Sequence, residues 1–336
     1  MIEKQVVREI FDSFNELKVI VIGDVMVDTY LFGKVDRISP EAPVPIVGVT
    51  KRESNLGGAS NVAVNLKSLG AEPIICSVIG EDQQGELFIE LLKKENISSE
   101  GIIKSEDRIT TVKNRVIGNN HQMLRVDEEI DTNINSVEEQ KLIEKIQSFV
   151  DTGKINAIIF EDYDKGVITP NIISKVVEFA ESKNIPVVVD PKKRNFSNYK
   201  NITLIKPNLK ELREGLKIDI NTGNIQELSK ITKSFHQLHN IGIILLTLSE
   251  YGVYISKYNE ETGAFTQKHI PAHIRNISDV SGAGDTVISV ATVCLALNLD
   301  TELIASISNL AGGIVCEKLG AVPINKSRLL SEVLSM

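Results

Sequence analysis

The sequence predicts an α/β fold in which helices flank a central, mostly parallel sheet, and three observations support this prediction. Short runs rich in Val and Ile recur along the chain, each with the length of a strand that is buried on both faces. Segments with the apolar spacing of helices separate these runs, as in repeated strand, helix, strand units. Two further stretches break the alternation and have the pattern of paired antiparallel strands.

The alternation of strands and helices extends over nearly the whole chain. The predicted buried strands are 19–22, 74–78, 157–160, 187–189, 202–205 and 243–247. The predicted helices are an amphipathic one within 1–18, then 59–69, 85–95, 138–150, 170–182, 209–216, 225–239 and 287–299. No change of composition divides the chain, so we expect one domain over 1–336.

The two stretches that break the alternation predict a small antiparallel sheet. Its strand candidates are 29–32, 45–49, 111–116 and 123–126. Such a sheet, built from segments at about 29–56 and 110–127, can stand off the main domain and cover a site at the strand ends. We call these two segments the lid.

Composition and charge exclude several classes of protein. The 336 residues carry a net charge of -8 and are 42% hydrophobic, which is ordinary for a globular protein and offers no basic surface to nucleic acid or anionic lipid. The longest strongly apolar helix candidate, 287–299, is shorter than the ~20 residues that cross a bilayer. Cys76, Cys294 and Cys316 show neither disulfide nor zinc spacing, which favours a reducing cytoplasm.

The sharpest chemical signal is Asp-Val-Ser-Gly-Ala-Gly-Asp-Thr at 279–286, directly before an apolar helix pattern. Gly282 and Gly284 allow a ligand to approach the backbone closely, and with Ala283 they present N–H groups to an anion at a helix start. Asp285 then lies in the first helical turn, where it can accept a proton from an attacking hydroxyl. Taken alone, the motif also fits a glycine-rich loop with Asp as a plain helix cap.

Two upstream stretches bear on this choice. Residues 56–70 place paired glycines before a helix, and 80–85 follow the next strand. Together with 279–286 they resemble the signatures of the ribokinase-like (PfkB) carbohydrate kinases, from about residue 19 to about 323. The resemblance implies a ribokinase-like fold, ATP and Mg²⁺ as cofactors, and Asp285 as catalytic base beside the N–H groups of 282–284.

Within this family the sequence resembles the kinases of D-glycero-D-manno-heptose 7-phosphate. The residues that carry the resemblance are at 23–28 (Gly-Asp-Val-Met-Val-Asp), 37–45 (Arg-Ile-Ser-Pro-Glu-Ala-Pro-Val-Pro) and 162–166 (Asp-Tyr-Asp-Lys-Gly). The implied reaction phosphorylates the anomeric hydroxyl to give the 1,7-bisphosphate, a step toward ADP-heptose and the lipopolysaccharide core. In many bacteria this kinase is fused to a nucleotidyltransferase; few residues follow Pro323, so we expect a stand-alone kinase.

Two alternatives stay open. One is another sugar kinase of the same family, acting on fructose 1-phosphate, ribose or a ketogluconate, although the string at 37–45 argues against it. The other is a sugar- or nucleotide-binding regulator without activity, which the retained Asp285 and its two glycines disfavour.

The resemblance assigns sugar-binding roles to residues near the ends of the first and third strands. Asp28 occupies the position of the hydroxyl acceptor, and Asp24 is a further candidate. The substrate side also includes Gly57, Gly58, Asn61 and Asp162. Glu161 departs from the family pattern, in which a small residue more often precedes this Asp; it either adds a substrate contact or faces solvent.

The substrate phosphate needs cations despite the acidic net charge. The candidates are Lys34, Arg37, Lys113, Arg115, Arg125 and Lys165. We favour Arg37, Arg115 and Lys165, since Arg binds phosphate through two parallel hydrogen bonds. Each of these residues, taken singly, also fits a solvated charge on the lid.

The nucleotide side follows later strands. Asn208 and Glu211 resemble the family's Asn-x-x-Glu motif, in which Glu211 acts on Mg²⁺ indirectly, although their spacing also fits a helix cap. The other predicted ATP contacts are Thr247, Ser249, Gly252, Asn309 and Gly312. Ser249 stands where many relatives have Gly, and Gly312 also fits simple helix packing. Asp279 is the candidate ligand of a monovalent cation.

The lid further predicts a homodimer. Its alternating apolar positions are Tyr30 and Phe32, Ile46 and Val49, Val112 and Val116, and Met123 and Val126. A four-stranded sheet cannot bury both faces against one active site, so a second copy is expected to cover the other face and the strand edges. The alternative is an outer face polar enough to stand in water.

Overall fold

Short runs of β-branched residues form thirteen strands in the described part of the chain, which comprises residues 3–218, 225–259 and 262–336 of the computed structural model. The strands are β1 (Lys18–Gly23), β2 (Val25–Ile38), β3 (Pro45–Gly58), β4 (Glu72–Gly80), β5 (Ile102–Ser105), β6 (Val112–Gly118), β7 (His121–Glu128), β8 (Ala157–Glu161), β9 (Val187–Asp190), β10 (Ile202–Ile205), β11 (Ile241–Thr247), β12 (Val253–Asn259) and β13 (Ala264–Ile270).

Helices connect most of these strands. They are α1 (Lys4–Ser13), α2 (Ala59–Leu69), α3 (Gln83–Lys94), α4 (Ser136–Thr152), α5 (Pro170–Ser182), α6 (Leu209–Leu216), α7 (Ile225–His239), α8 (Ala283–Ala296), α9 (Thr301–Val315) and α10 (Lys326–Val333). Capping residues set several of the boundaries: Asn135 and Glu138 form a reciprocal box at the start of α4, and left-handed Gly70 ends α2. None of the described helices is long and apolar enough to span a bilayer.

The main sheet has nine strands in the order β13-β12-β11-β10-β9-β8-β1-β4-β5. Neighbours from β11 to β5 run parallel, and β12 and β13 extend the edge by antiparallel pairing. The predicted fold class, a ribokinase-like α/β architecture, is therefore confirmed. The carboxyl ends of the parallel strands lie along one edge, where such folds bind their ligands.

Two hydrophobic cores lie on opposite faces of this sheet. Alternate positions of β1 show the division, since Val19 and Val21 belong to one core and Ile20 and Ile22 to the other. The first core includes side chains of α2, α8 and α9, and the second includes side chains of α4, α5 and α7. Burial on both faces explains why the strands are continuous apolar runs and not alternating ones.

The lid forms a separate four-stranded sheet in the order β3-β2-β6-β7. β2 pairs antiparallel with β3, and β6 pairs antiparallel with β7, whereas β2 and β6 run parallel from Val27 beside Val112 onward. β2 and β3 are longer than their apolar alternation predicts, because backbone pairing continues from Val25 beside Gly58 to Ile38 beside Pro45. The base of the lid thus begins only two residues after β1 ends.

Candidate active site

Asp285 lies buried in the first turn of α8. Asn61 donates from Nδ2 to one carboxylate oxygen at 2.6 Å, and the Tyr163 hydroxyl donates to the other at 3.0 Å. Burial raises the pKa of Asp285, the hydrogen bond from Asn61 opposes the rise, and the neighbouring Asp190 carboxylate adds to it. A carboxylate with fixed orientation and raised proton affinity is suited to accept a proton.

The start of α8 presents free backbone donors. Gly282 is the N-cap with φ of 75°, in the left-handed region that favours glycine, and it offers no side-chain cap. The N–H of Ala283 donates back to the Val280 carbonyl at 3.3 Å. The N–H groups of Gly284 and Asp285 have no acceptor within the helix because they lie in its first turn. Together with the helix dipole they can stabilise an anion.

Three carboxyl groups meet beside this helix start, and we call Glu161, Asp190 and Asp285 the carboxyl cluster. Glu161 and Asp190 end neighbouring strands β8 and β9 and are partners in the pairing register. One oxygen from each of the three groups lies within 4.8 Å of the others. Burial raises the pKa of Glu161 well above its usual range, and Asp190 and Asp285 add to the rise.

Two lysines face the carboxyl cluster. Lys206 follows β10, and its Nζ lies 2.8 Å from Oδ2 of Asp190 in a pair that is almost fully buried. Lys192 pairs with Glu211, and its Nζ lies 5.5 Å from the centre of the Tyr163 ring. An added Cβ on Gly284 would be 3.5 Å from Nζ of Lys206, so the free N–H groups of α8 and this cation border the same space.

The lid contributes its own charged groups near the base. Arg115 donates from Nη1 to Oδ1 of Asp28 at 2.5 Å, and its guanidinium lies 5.2 Å from the centre of the Tyr30 ring. Lys113, two residues earlier in β6, lies 6.0 Å from the centre of the Tyr163 ring. Tyr163 in turn donates to Asp285. A chain of contacts therefore links the lid to the buried carboxylate of α8.

Comparison with known proteins decides the family. Residues 16–328 match the pfkB family carbohydrate kinase model. The chain belongs to this family.

The relatives of this pfkB-family kinase include bifunctional HldE proteins. The one from Geotalea uraniireducens is 35% identical over 331 residues, which cover 98% of this chain and 66% of the relative. The one from Helicobacter pylori strain HPAG1 is 37% identical over 312 residues, which cover 90% of this chain and 64% of the relative. The chain thus spans slightly under two thirds of the length of these relatives.

Solved pfkB-type structures share the fold at low identity. Phosphofructokinase-2 from Escherichia coli in complex with potassium gives a TM-score of 0.75 at 18% identity, covering 95% of this chain and 99% of that one. Arabidopsis thaliana ribokinase complexed with ribose and ATP gives 0.69 at 15% identity, covering 95% and 99%. These TM-scores establish the fold of the pfkB-family kinase. At this sequence identity its chemistry is argued from its own residues.

The paired glycines at 57–58 bring the base of the lid close to the first strand. An added Cβ on Gly57 would lie 2.5 Å from Oδ2 of Asp28, and one on Gly58 would lie 2.4 Å from the carbonyl oxygen of Asp24. Gly58 also has φ of 60°, in the left-handed region. The close approach positions α2, and hence Asn61, against Asp285.

Asp24, a predicted substrate ligand, is occupied by the protein's own backbone. Its side chain is 1% exposed, and both oxygens accept backbone N–H groups, from Tyr163 at 2.9 Å, Lys165 at 3.1 Å and Val167 at 2.9 Å. Asp24 therefore holds the loop after β8 that carries Tyr163, and its effect on a substrate is indirect.

Asp162, another predicted substrate ligand, is occupied in the same way. It is 1% exposed and accepts hydrogen bonds from the Tyr199 hydroxyl at 2.8 Å, Asn195 Nδ2 at 3.1 Å and the Asp164 N–H at 2.9 Å. Burial raises its pKa to about 6. The side chain therefore holds the loop after β8 from within, and a contact with substrate stays a prediction.

The structure separates Arg37 from the other predicted phosphate ligands. Arg37 is exposed nine positions beyond Asp28 on β2, a distance of about 30 Å at ~3.3 Å per residue. Lys165 lies near the site but pairs with Glu129 at 2.7 Å. Among the three favoured cations, Arg115 pairs through its guanidinium with Asp28, a predicted sugar ligand, whereas the roles of Arg37 and Lys165 toward a phosphate stay predictions.

The predicted nucleotide residues fall into two groups. Asn208 and Glu211 form the capping box of α6, each accepting the other's N–H at 2.8 Å, while Glu211 also pairs with Lys192. Thr247 bridges to Asn208 from the end of β11. The cap interpretation is thus correct, and the Lys192 pair additionally connects Glu211 to the carboxyl cluster.

The remaining predicted nucleotide contacts lie in the turn after β11 and in helix α9. Ser249 has φ of 52°, which explains why glycine suits this position, and an added Cβ on Gly252 would lie 2.2 Å from the Ile270 carbonyl oxygen. Asn309 donates to the Pro271 carbonyl at 2.9 Å. An added Cβ on Gly312 would lie 2.8 Å from Val287, so Gly312 allows α9 to pack closely on α8, and its contact with a nucleotide stays a prediction.

Asp279 organises the loop before α8. It accepts the N–H of Ser281 at 3.0 Å and its hydroxyl at 2.8 Å, and the N–H of Gly320 at 2.9 Å. These bonds join the glycine motif to the segment after α9. They leave the role of Asp279 toward a monovalent cation a prediction.

Sequence reasoning missed four residues of the site: Tyr163, Asp190, Lys192 and Lys206. Asp190 directly follows the apolar run 187–189, and Lys206 directly follows 202–205. Both therefore stand at the carboxyl ends of predicted parallel strands, where ligand-binding residues concentrate. Their position directly after predicted buried strands is the signal that could have found these two.

Proposed function

We propose that this chain transfers the γ-phosphoryl group of ATP to the anomeric hydroxyl of D-glycero-D-manno-heptose 7-phosphate, giving the 1,7-bisphosphate and ADP. The observation that carries the phosphotransfer is Asp285, held by Asn61 and Tyr163 beside the free N–H groups of α8. The choice of sugar rests on the residues at 23–28, 37–45 and 162–166 and on the likeness to HldE proteins.

The carboxylate of Asp285 accepts the proton of the sugar hydroxyl as the hydroxyl oxygen bonds to the γ-phosphorus. The bond from that phosphorus to the bridging oxygen breaks, and ADP leaves with the electron pair. Phosphoryl transfer has a loose transition state, so positioning and charge stabilisation supply most of the rate. The N–H groups of Gly284 and Asp285 lie where they stabilise the charge on the transferred group.

The residues around the carboxyl cluster fit the Mg²⁺ that a kinase of this family requires. Asp190 lies in the carboxyl cluster beside the helix start, and Glu211 pairs with Lys192; oxygen ligands of this kind suit Mg²⁺. When bound, the ion neutralises charge on the nucleotide phosphates. Lys206 and Lys192 keep these carboxylates paired and fixed.

On the sugar side, Asp28 accepts hydroxyl hydrogen bonds and Arg115 binds the substrate phosphate. The two form an ion pair at the base of the lid, and Lys113 lies on the same face, two residues away along β6. Lys113 replaces Arg37 as the second cation, since it contacts the Tyr163 ring. A phosphate that binds Arg115 competes with Asp28 and frees that carboxylate for the sugar.

The lid also supports the homodimer. Its large exposed apolar side chains include Ile38, Val49, Met123, Leu124 and Val126, the first of them 61% exposed. One solved relative is the tetrameric inhibited form of Escherichia coli phosphofructokinase-2. We propose that a second copy covers this face of the lid by two-fold pairing.

A substrate screen tests the proposed reaction. The protein is incubated with ATP, Mg²⁺ and each of heptose 7-phosphate, fructose 1-phosphate, ribose and a ketogluconate, and ADP release is followed. The proposal expects heptose 7-phosphate to give the highest kcat/KM and a product with a second phosphate at C1 by mass and NMR. Preference for another sugar would reassign the substrate, and no ADP release with any sugar would favour a binding protein.

A further inference from the structure

Glu161 is an unusual buried carboxyl group, since both of its oxygens lack a hydrogen-bond partner in the described part of the chain. The residue is 1% exposed. Glu138, another buried glutamate, accepts the Ser105 hydroxyl and the N–H of Asn135. A buried polar group without a partner costs free energy, so an isolated one points to a ligand that completes it.

The orphaned oxygens point into the carboxyl cluster. Glu161 contributes one of the oxygens that lie within 4.8 Å of oxygens from Asp190 and Asp285. Oδ1 of Asp190 also has no partner, whereas its Oδ2 pairs with Lys206. Oxygens on opposite sides of a six- to eight-coordinate cation are about 4 to 5 Å apart, because each lies ~2.0 to 2.6 Å from the ion.

The side chains around the carboxyl cluster carry a net negative charge that a divalent cation would neutralise. The four carboxylates Glu161, Asp190, Asp285 and Glu211 face two ammonium groups, Lys192 and Lys206. Ionised, these groups sum to −2, which is the charge that one divalent cation neutralises. Hard oxygen ligands of this kind select Mg²⁺ or Mn²⁺ over softer metals.

We propose that Glu161 and Asp190 bind one divalent cation directly in the nucleotide-free enzyme, beside the base Asp285. Binding at these oxygens needs no phosphate oxygen, so it can precede ATP; Asp190 is shared with the Mg²⁺ site proposed above, to which Glu161 adds a ligand. The inference rests on the geometry of the carboxyl cluster and holds whatever sugar the enzyme phosphorylates.

Metal binding without nucleotide tests the proposal. Protein stripped with EDTA is titrated with Mn²⁺, and the signal of free Mn²⁺ is followed by electron paramagnetic resonance. We expect one Mn²⁺ per chain for the wild type and at least tenfold weaker binding for Glu161→Gln and Glu161→Ser. Glu72→Gln, which removes an exposed carboxylate at the opposite edge of the main sheet, is the matched control and should bind like the wild type.

Thermal unfolding supplies an independent readout. Mn²⁺ should raise the Tm of the wild type and of Glu72→Gln but not that of Glu161→Gln. Without metal, Glu161→Gln should melt at or above the wild-type Tm, because the amide keeps the shape of the side chain and removes the repulsion between Glu161 and Asp190. The absence of Mn²⁺ binding in the wild type, or equal binding by Glu161→Gln, would overturn the proposal and would mean that Glu161 is held neutral. Neither outcome depends on which sugar the substrate screen identifies.

Discussion

Replacing Asp285 with Asn tests the catalytic base with little change of shape. Tyr163 can still donate to the amide oxygen, so at most the 2.6 Å bond from Asn61 is lost, at a cost of about 1 kcal/mol. Removing one of three crowded carboxylates offsets that cost. We therefore expect the free energy of unfolding to stay within about 1 kcal/mol of the wild type.

The effect on turnover should be far larger. Loss of a general base lowers kcat by about 10² to 10⁴, which corresponds to about 3 to 5 kcal/mol of barrier. The KM for ATP should change less than about threefold, since the N–H groups of α8 are retained. ADP release measured with saturating sugar phosphate gives both constants, and thermal melts confirm folding.

Asp300→Asn is the matched control for this prediction. Asp300 is the N-cap of α9 and accepts the N–H of Glu302, a role that Asn fills equally well. Its kcat should equal that of the wild type. If Asp285→Asn retained kcat within about threefold of the wild type, Asp285 would not be the base and the reaction would need another proton acceptor.

Three further predictions concern pH, the substrate phosphate and the assembly. Because burial raises the pKa of Asp285, kcat/KM should fall as pH decreases through a midpoint above 3.8. The residual activity of Asp285→Asn should not show this fall at low pH. A wild-type midpoint at or below 3.8 would contradict the assignment of Asp285 as the base. Arg115→Ala should raise the KM for the sugar phosphate by about tenfold or more and leave the KM for ATP unchanged, because a charge-assisted contact contributes roughly 1.5 to 3 kcal/mol. Arg37→Ala should change neither KM if the site lies within one subunit. Equal shifts in both KM values for Arg115→Ala would show that Arg115 does not bind the substrate phosphate. Light scattering coupled to gel filtration should give about twice the 37.0 kDa of one chain, and Val49→Asp or Leu124→Asp should yield monomers; a wild-type mass near 37.0 kDa would refute the dimer, and dimers that survive both substitutions would exclude the lid as interface.

The sequence predicts the fold and the position of Asp285 in a first helical turn, because both follow from local patterns. Buried parallel strands are continuous apolar runs, and the motif at 279–286 combines a left-handed glycine with a helix start. Local pattern cannot show which strand-end carboxylates remain free. Asp24 and Asp162 stand at such ends, but donors far along the chain occupy them, such as Val167 for Asp24 and Tyr199 for Asp162.

Pairs that form only in the folded chain explain the residues that were missed. Lys206 and Asp190 belong to neighbouring strands, and their ion pair depends on the strand order. Gly312 shows the converse difficulty, because close helix packing and close approach of a ligand both require the absence of a side chain. Composition alone does not separate these two uses of glycine.

Strand β3 connects the lid directly to the helix that carries Asn61, the residue that donates to Asp285. It runs for fourteen residues from the far end of the lid to Gly58, a length of about 45 Å, and α2 begins at the next residue with Asn61 in its first turn. A rotation of the lid about Gly58 therefore moves the amide that orients Asp285. Displacements of about 1 Å can change a rate ~10²-fold, so substitutions at the tip of β3 should alter kcat although they lie far from any reacting atom.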